Sequence, residues 1–350
     1  MPRAISLPDD YETPMNRLLD SPLIFDPILK RILWGGTRLA TLLGKSIGPG
    51  DDYAESWEIA DHANGQSVVC QPSEWAGKSI TDLLAQHPKE LLGTDLADRY
   101  TQFPLLIKFL DAHQDLSIQV HPNDALARRL VNDNGKNEAW VVLHSEPGSR
   151  IYAGLKSDVT CEALDLAMQR QSVSELIHSF EPSAGDCIMI PSGTVHAIGA
   201  GIMIAEIQQM SDATFRVDDW GRVGPDGSPR QLHLAEALEA TDFERGPVSP
   251  MKPERLPTES SDNIHEKLAY CQFFGIDRWK LNSSATLGFA DHSRFTILII
   301  TNGKALISNP HGTDLEAHAG TTVLLPAAAG SVLIHPSSNE TLQLLECHVP

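Results

Sequence analysis

The chain has 350 residues, 41% of them hydrophobic, which is length enough for two lobes and a sizeable core. Lys and Arg number 27 against 46 Asp and Glu, a formal net charge of −19. A chain this acidic argues against nucleic acid or an anionic membrane as partner, and an anionic ligand would need local basic residues to overcome the global field.

Residues 1–20 are polar and proline-dotted and read as an N-terminal tail. The first thirty residues hold several acids and no long apolar run, so neither a signal peptide nor a transmembrane helix is expected. The cysteines (Cys70, Cys161, Cys187, Cys271, Cys347) are odd in number and form no CxxC pair, which points to free thiols in a reducing, cytoplasmic compartment.

From Leu23 onward, short apolar runs broken by Gly, Pro and Asp predict a mainly β fold, as in "ILWGGTRLATLLG" and "YAESWEIADHANGQSVV". Two stretches read as helical insertions. "SITDLLAQHPKELLG" (79–93) has a Ser start, paired leucines and a closing Gly, and "VTCEALDLAMQRQSVSELIHSF" (159–180) spaces its apolar residues at helical intervals. Between them, "SIQVHP" (117–122) alternates as a strand does, which places Gln119 and His121 on one face. Such a pair can begin a metal site or form half of a satisfied polar patch. The stretch 246–264 holds four prolines in nineteen residues and reads as a linker between a domain at 21–245 and another at 265–350.

An internal echo relates the two blocks. "AGDCIMIP" and "AGTTVLLP" each run from Ala-Gly through an apolar strand to Pro, so that Gly185 and Pro191 match Gly320 and Pro326. Two jelly-roll barrels with short helical insertions are the architecture this repeat suggests. His196 in the first copy is matched by Ser331 in the second, so only the first block is expected to carry a metal site.

"GDCIMIPSGTVH" (185–196) fits the second cupin motif, with Ala200 where the motif's later Asn would stand. Together with "LIKFLDAHQDLSIQVHP", "GKNEAW" and "SDATFRVDDWGR" it resembles the type I phosphomannose isomerases of the cupin superfamily, in their short bacterial form. The resemblance runs from about Phe25 to Leu234, and "YAESWEI" supports it. It implies one Zn²⁺ per chain held by Gln119, His121, Glu138 and His196, a donor set that would also accept Fe²⁺, Mn²⁺ or Co²⁺. It implies interconversion of mannose 6-phosphate and fructose 6-phosphate through an enediol, which needs a base, an electrophile and exclusion of water.

By the same resemblance Arg216 is the catalytic arginine, its permanent charge suited to an enediolate. Lys136, two residues before Glu138, is a second catalytic candidate, as acid or as base. Glu55 and Glu206 fall in the substrate pocket, Ser117, Lys108 and Arg222 on the phosphate, and Trp34 against the sugar. A small sugar phosphate is thus the expected partner, for a monomer or weak homo-oligomer. Two other functions compete. An iron-dependent cupin dioxygenase would not need the Lys136, Arg216 and Arg222 cluster, and a non-catalytic sugar-phosphate-binding cupin should have lost a ligand or Arg216.

Overall fold

The computed structural model describes residues 18–224, 227–310 and 314–350, so the expected tail lies outside them except for its last three residues. The fold is mainly β with a few short helices, and it is organised as two pairs of facing sheets. In the first pair, a six-stranded sheet runs in the order Cys187–Ile190, Glu138–Ser145, Ile202–Gln209, Leu105–Ala112, Tyr53–Ile59 and Ile28–Gly36. Its five-stranded partner runs Ile177–Phe180, Ile151–Leu155, His196–Ile198, Ile118–Val120 and Phe215–Asp218. In the second pair, six strands from Glu254–Leu256 to the edge strand Thr322–Leu325 face four strands that include Ser331–Pro336. Among the described residues no sheet closes on itself.

The strands Leu105–Ala112 and Ile202–Gln209 are buried at every position, because both faces of their sheet are covered. Successive side chains point to opposite faces. Leu105, Ile107, Phe109, Ala205 and Ile207 enter a core shared with Phe274, Ile276, Phe295 and Leu345 of the second half. Leu110, Ala112, Ile202 and Ile204 face inward, against Ile151, Ala153 and Ile198 of the partner sheet. Lys108, Glu138 and Glu206 alternate with those apolar outer residues, and this alternation brings charge into the interior of the first sandwich.

The repeated motif has the same path in both halves. Gly185 and Gly320 turn the chain at φ 94 and φ 89, a region open to Gly at little cost. The strands that follow, Cys187–Ile190 and Thr322–Leu325, are edge strands of their six-stranded sheets. Each chain segment then crosses to the opposite sheet, as His196–Ile198 and as Ser331–Pro336.

Of the two predicted helical stretches, the first forms Ile80–Gln86 and Pro88–Leu92, opened by a reciprocal Ser79–Asp82 capping box. The second is helical only over Cys161–Arg170. Gln171 takes a left-handed conformation, Val173–Leu176 is a single 3₁₀ turn, and Ile177–Phe180 is a strand paired with Ile151–Leu155. A 3₁₀ turn also stacks residues i and i+3 on one face, so Val173 and Leu176 kept a helical spacing without a helix.

The proline-rich stretch 246–264 is tied to its surroundings. Val248 donates its N–H to Ala153 O, Met251 donates to Cys187 O, and Glu254–Leu256 pairs with Ile264–Tyr270. Leu23 pairs with Leu324, so the start of the described chain is bonded to the second half. No helix among the described residues is long and apolar enough to cross a membrane.

Candidate active site

Ser117, Gln119 and His121 point inward by alternation, while Ile118 and Val120 enter the core on the other side. His196 lies opposite Gln119 in register, and Arg216 lies opposite Gln119 on its other flank. These three neighbours form one row across the five-stranded sheet. Glu138 opens its strand on the facing sheet. Its carboxylate reaches His121 Nε2 at 3.3 Å and His196 Nε2 at 3.4 Å.

The ring nitrogens away from Glu138 are spoken for: His121 Nδ1 sits 2.9 Å from Ala213 O, and His196 Nδ1 sits 2.8 Å from Thr194 O. A carbonyl can only accept, so each Nδ1 carries the proton and each Nε2 keeps a lone pair facing Glu138. Burial keeps both rings neutral, pushing His121 down and His196 down to about 3. The contacts to Glu138 are therefore not ion pairs at neutral pH. Burial opposes the Glu138 charge, but the Lys136 ammonium, 3.0 Å away, holds the carboxyl well below its usual range.

His121 Nε2 and both Glu138 oxygens are buried without a hydrogen bond. Orphaned acceptors aimed at one point are what a divalent cation requires, and two imidazoles with one carboxylate suit it chemically. The side chain of Gln119 presents its amide nitrogen, 3.3 Å from His196 Nε2. As a ligand it would present the carbonyl oxygen instead, a half-turn of the amide. A second group, His265, Asp277 and Glu346, also lies within 4.8 Å. There the polar atoms satisfy one another: His265 meets Asp277 at 2.6 Å, and Trp279 and the Gly288 N–H both donate to Glu346.

A cavity of about 330 Å³ adjoins the first cluster. Trp34, Glu55, Lys108, Ser117, Gln119, Lys136, Glu206 and Arg216 all line it. Lys108 and Glu206 face each other in register, 3.5 Å apart, with Glu55 at 3.7 Å on the lysine's other side. Burial works against the Lys108 charge, yet the two carboxylates raise its pKa overall. Burial, with Glu138 nearby, pushes Glu206 up to about 7, and one of its oxygens has no hydrogen bond. Arg216 spends one N–H on Gln231 O and leaves a buried Nε free; burial, then Arg230, lowers its pKa.

Arg222 is not brought to the cavity wall. Its guanidinium bonds Asp219 at 2.5 Å and the Asp115 carbonyl, while Arg230 reaches the cavity with its Nε held by Asp219 at 2.7 Å. Arg230, Trp140 and Asp212 line the site without having been singled out in the sequence. Trp140 had a signal: it is two residues from Glu138 on the same inward face, and it donates to Glu206 at 3.1 Å. Arg230 had none, because a long loop carries it back.

Residues 23–140 match the family described as phosphomannose isomerase type I, catalytic domain. Mannose-6-phosphate isomerase ManA of Bacillus subtilis (strain 168) is 36% identical over 314 residues, covering 88% of this chain and 94% of that protein. Mannose-6-phosphate isomerase of Streptococcus mutans serotype c is 34% identical over 266 residues, 76% of this chain and 81% of that one. The crystal structure of the mannose 6-phosphate isomerase from Bacillus subtilis superposes with a TM-score of 0.84 at 29% identity, over 94% of this chain and 100% of that chain. Similarity of this extent, carried through both halves of the fold and joined to the inward cluster of Gln119, His121, Glu138 and His196, makes the chain a member of the type I phosphomannose isomerase family.

Proposed function

We propose that the protein is a metal-dependent aldose–ketose isomerase that interconverts D-mannose 6-phosphate and D-fructose 6-phosphate, with Zn²⁺ as its metal. The observation that carries this reading is the set of orphaned lone pairs on His121 and Glu138, set beside a cavity lined by Lys136, Glu206 and Arg216. His121, Glu138, His196 and Gln119 would hold the ion, which when bound supplies a fixed positive charge to polarise the sugar oxygens.

The remaining steps belong to side chains. Glu206, with one oxygen unpartnered, takes the proton from C2 of the aldose; the C2–H electron pair becomes the C1–C2 double bond as O1 gains a proton from Lys136. The O2–H proton then passes to the neutral Lys136 amine as its electron pair forms the C2=O bond, and the C1–C2 π pair takes the proton held by Glu206 onto C1, which gives the ketose and restores both side chains. Arg216 turns its free N–H toward the enediolate oxygens as charge grows on them. Arg230, with Ser117 beside it, is our choice for the phosphate, and Arg222 steadies Arg230 through their shared Asp219. The free thiols support a cytoplasmic site of action. We divide the chain into a catalytic lobe at 21–245, a connecting segment at 246–264 and a lobe at 265–350 whose part is packing.

The test is a coupled assay that detects fructose 6-phosphate made from mannose 6-phosphate. Chelation should abolish turnover, and added zinc should restore it. Full activity in protein shown metal-free by elemental analysis would overturn the reading. Stoichiometric zinc with no product would favour a sugar-phosphate sensor.

Arg230→Ala should raise KM in that assay. Loss of a charge-assisted contact costs about 1.5–3 kcal/mol, or about 10–100-fold in affinity. An unchanged KM would remove Arg230 from the phosphate.

A further inference from the structure

Gln209 ends the strand Ile202–Gln209, and its side chain is almost wholly buried outside the cavity that receives the substrate. Its Oε1 accepts two hydrogen bonds from Asn137, one from the backbone N–H at 3.0 Å and one from Nδ2 at 2.7 Å. Its Nε2 donates to Asp124 Oδ1 at 3.2 Å, and that same oxygen accepts from the Gly135 N–H at 2.8 Å. Asn137 in turn accepts from the Ser192 N–H at 3.0 Å.

One carboxamide therefore joins three pieces of chain. Asn137 stands between Lys136 and Glu138, Asp124 lies three residues past His121, and Ser192 lies four before His196. Backbone bonds run alongside: Lys136 N–H to Pro122 O at 3.0 Å, and Gly193 N–H to His121 O at 2.8 Å. Residues 132–137 precede the strand Glu138–Ser145 and are held by only a few backbone bonds, among them Gln209 N–H to Asn137 O at 3.1 Å. Their direction is set by those backbone bonds together with the side-chain bonds of Gln209. Only a neutral amide can accept from two donors at one end while donating to a carboxylate at the other.

We propose that Gln209 is a positioning residue. Through Asn137 and Asp124 it fixes the segment 135–138, and so aims the Glu138 carboxylate at the cation and the Lys136 ammonium into the cavity. This inference rests on the metal-dependent isomerase reading above. Partners that orient a metal ligand without touching the metal typically contribute about 10–100-fold to affinity.

Gln209→Glu provides the test. The new side chain still accepts from Asn137 but sets a second carboxylate against Asp124. Adding Asp124→Asn returns a donor at that contact and keeps an acceptor for the Gly135 N–H. Zinc affinity, measured by competition with a chromophoric chelator, should fall about 10–100-fold in Gln209→Glu and largely recover in the double variant. In the same series kcat should fall further than KM rises. Wild-type zinc affinity in Gln209→Glu, whatever its melting temperature, would overturn the proposal, as would a double variant no better than the single one. If Gln209→Glu does not fold, Gln209→Met bears the same comparison, weakened zinc supporting the proposal and wild-type affinity refuting it. Wild-type protein that binds no zinc would bring down the metal reading itself, an outcome separable from failure of the Gln209 link.

Discussion

His196→Ala should leave a folded protein that has lost most of its metal, with turnover reduced about 10³-fold or more. The magnitude follows from what a bound cation contributes, several kcal/mol of charge stabilisation, at about 1.36 kcal/mol per decade of rate. His196 is fully buried, its Nε2 faces Glu138 at 3.4 Å and its Nδ1 is fixed by Thr194 O. Its removal takes away an oriented, neutral nitrogen donor that no nearby side chain can replace. The void left beside Trp140 would lower stability as well, so the folded state should be checked by circular dichroism before metal is counted. Glu138→Gln avoids that ambiguity, because it keeps the volume and removes the anionic ligand. Wild-type metal content in both variants would show that the ion, if any, sits elsewhere.

Arg216→Ala should lower kcat by about 10²–10³, the range seen when one oxyanion donor is lost, with zinc content intact and KM little changed. A guanidinium that meets charge only as the enediolate forms contributes to the transition state more than to substrate binding. The geometry suits this role, since Arg216 lies across from Gln119 and keeps a buried Nε with no partner. Arg216→Lys should rescue only in part, because an ammonium cannot reproduce the planar fork. A sharp rise in KM with steady kcat would move Arg216 to the phosphate, beside Arg230. The proton transfers would then rest on Lys136 and Glu206.

The shared face of Gln119 and His121 was legible because strand periodicity is simple, side chains at i and i+2 pointing the same way, whereas their reading as metal ligands came from the family resemblance. The Gly185–Pro191 motif carried His196 in the same way. Lys108 and Glu206 could be placed only by resemblance, although each is the lone charge on the inner face of its strand, which is itself a signal of a pocket. Arg230 was not legible. Its place depends on how the chain after Arg222 returns, and Asp219, which holds both arginines, is three residues from Arg222 but eleven from Arg230. The misread stretch was 171–180, where one 3₁₀ turn imitates helical spacing until Gln171 is known to be left-handed.

The sheet that carries Lys108, Glu138 and Glu206 turns its other face to the second half of the chain, through Leu105, Ile107 and Phe109. The catalytic half is therefore not portable. Cut free at its proline-rich connection, it would expose a broad apolar face to water and lose the backbone pairing of Leu23 with Leu324. A gene fusion or shuffling event could exchange loops around the cavity but not the half that holds it, so descent within this architecture must keep both halves together.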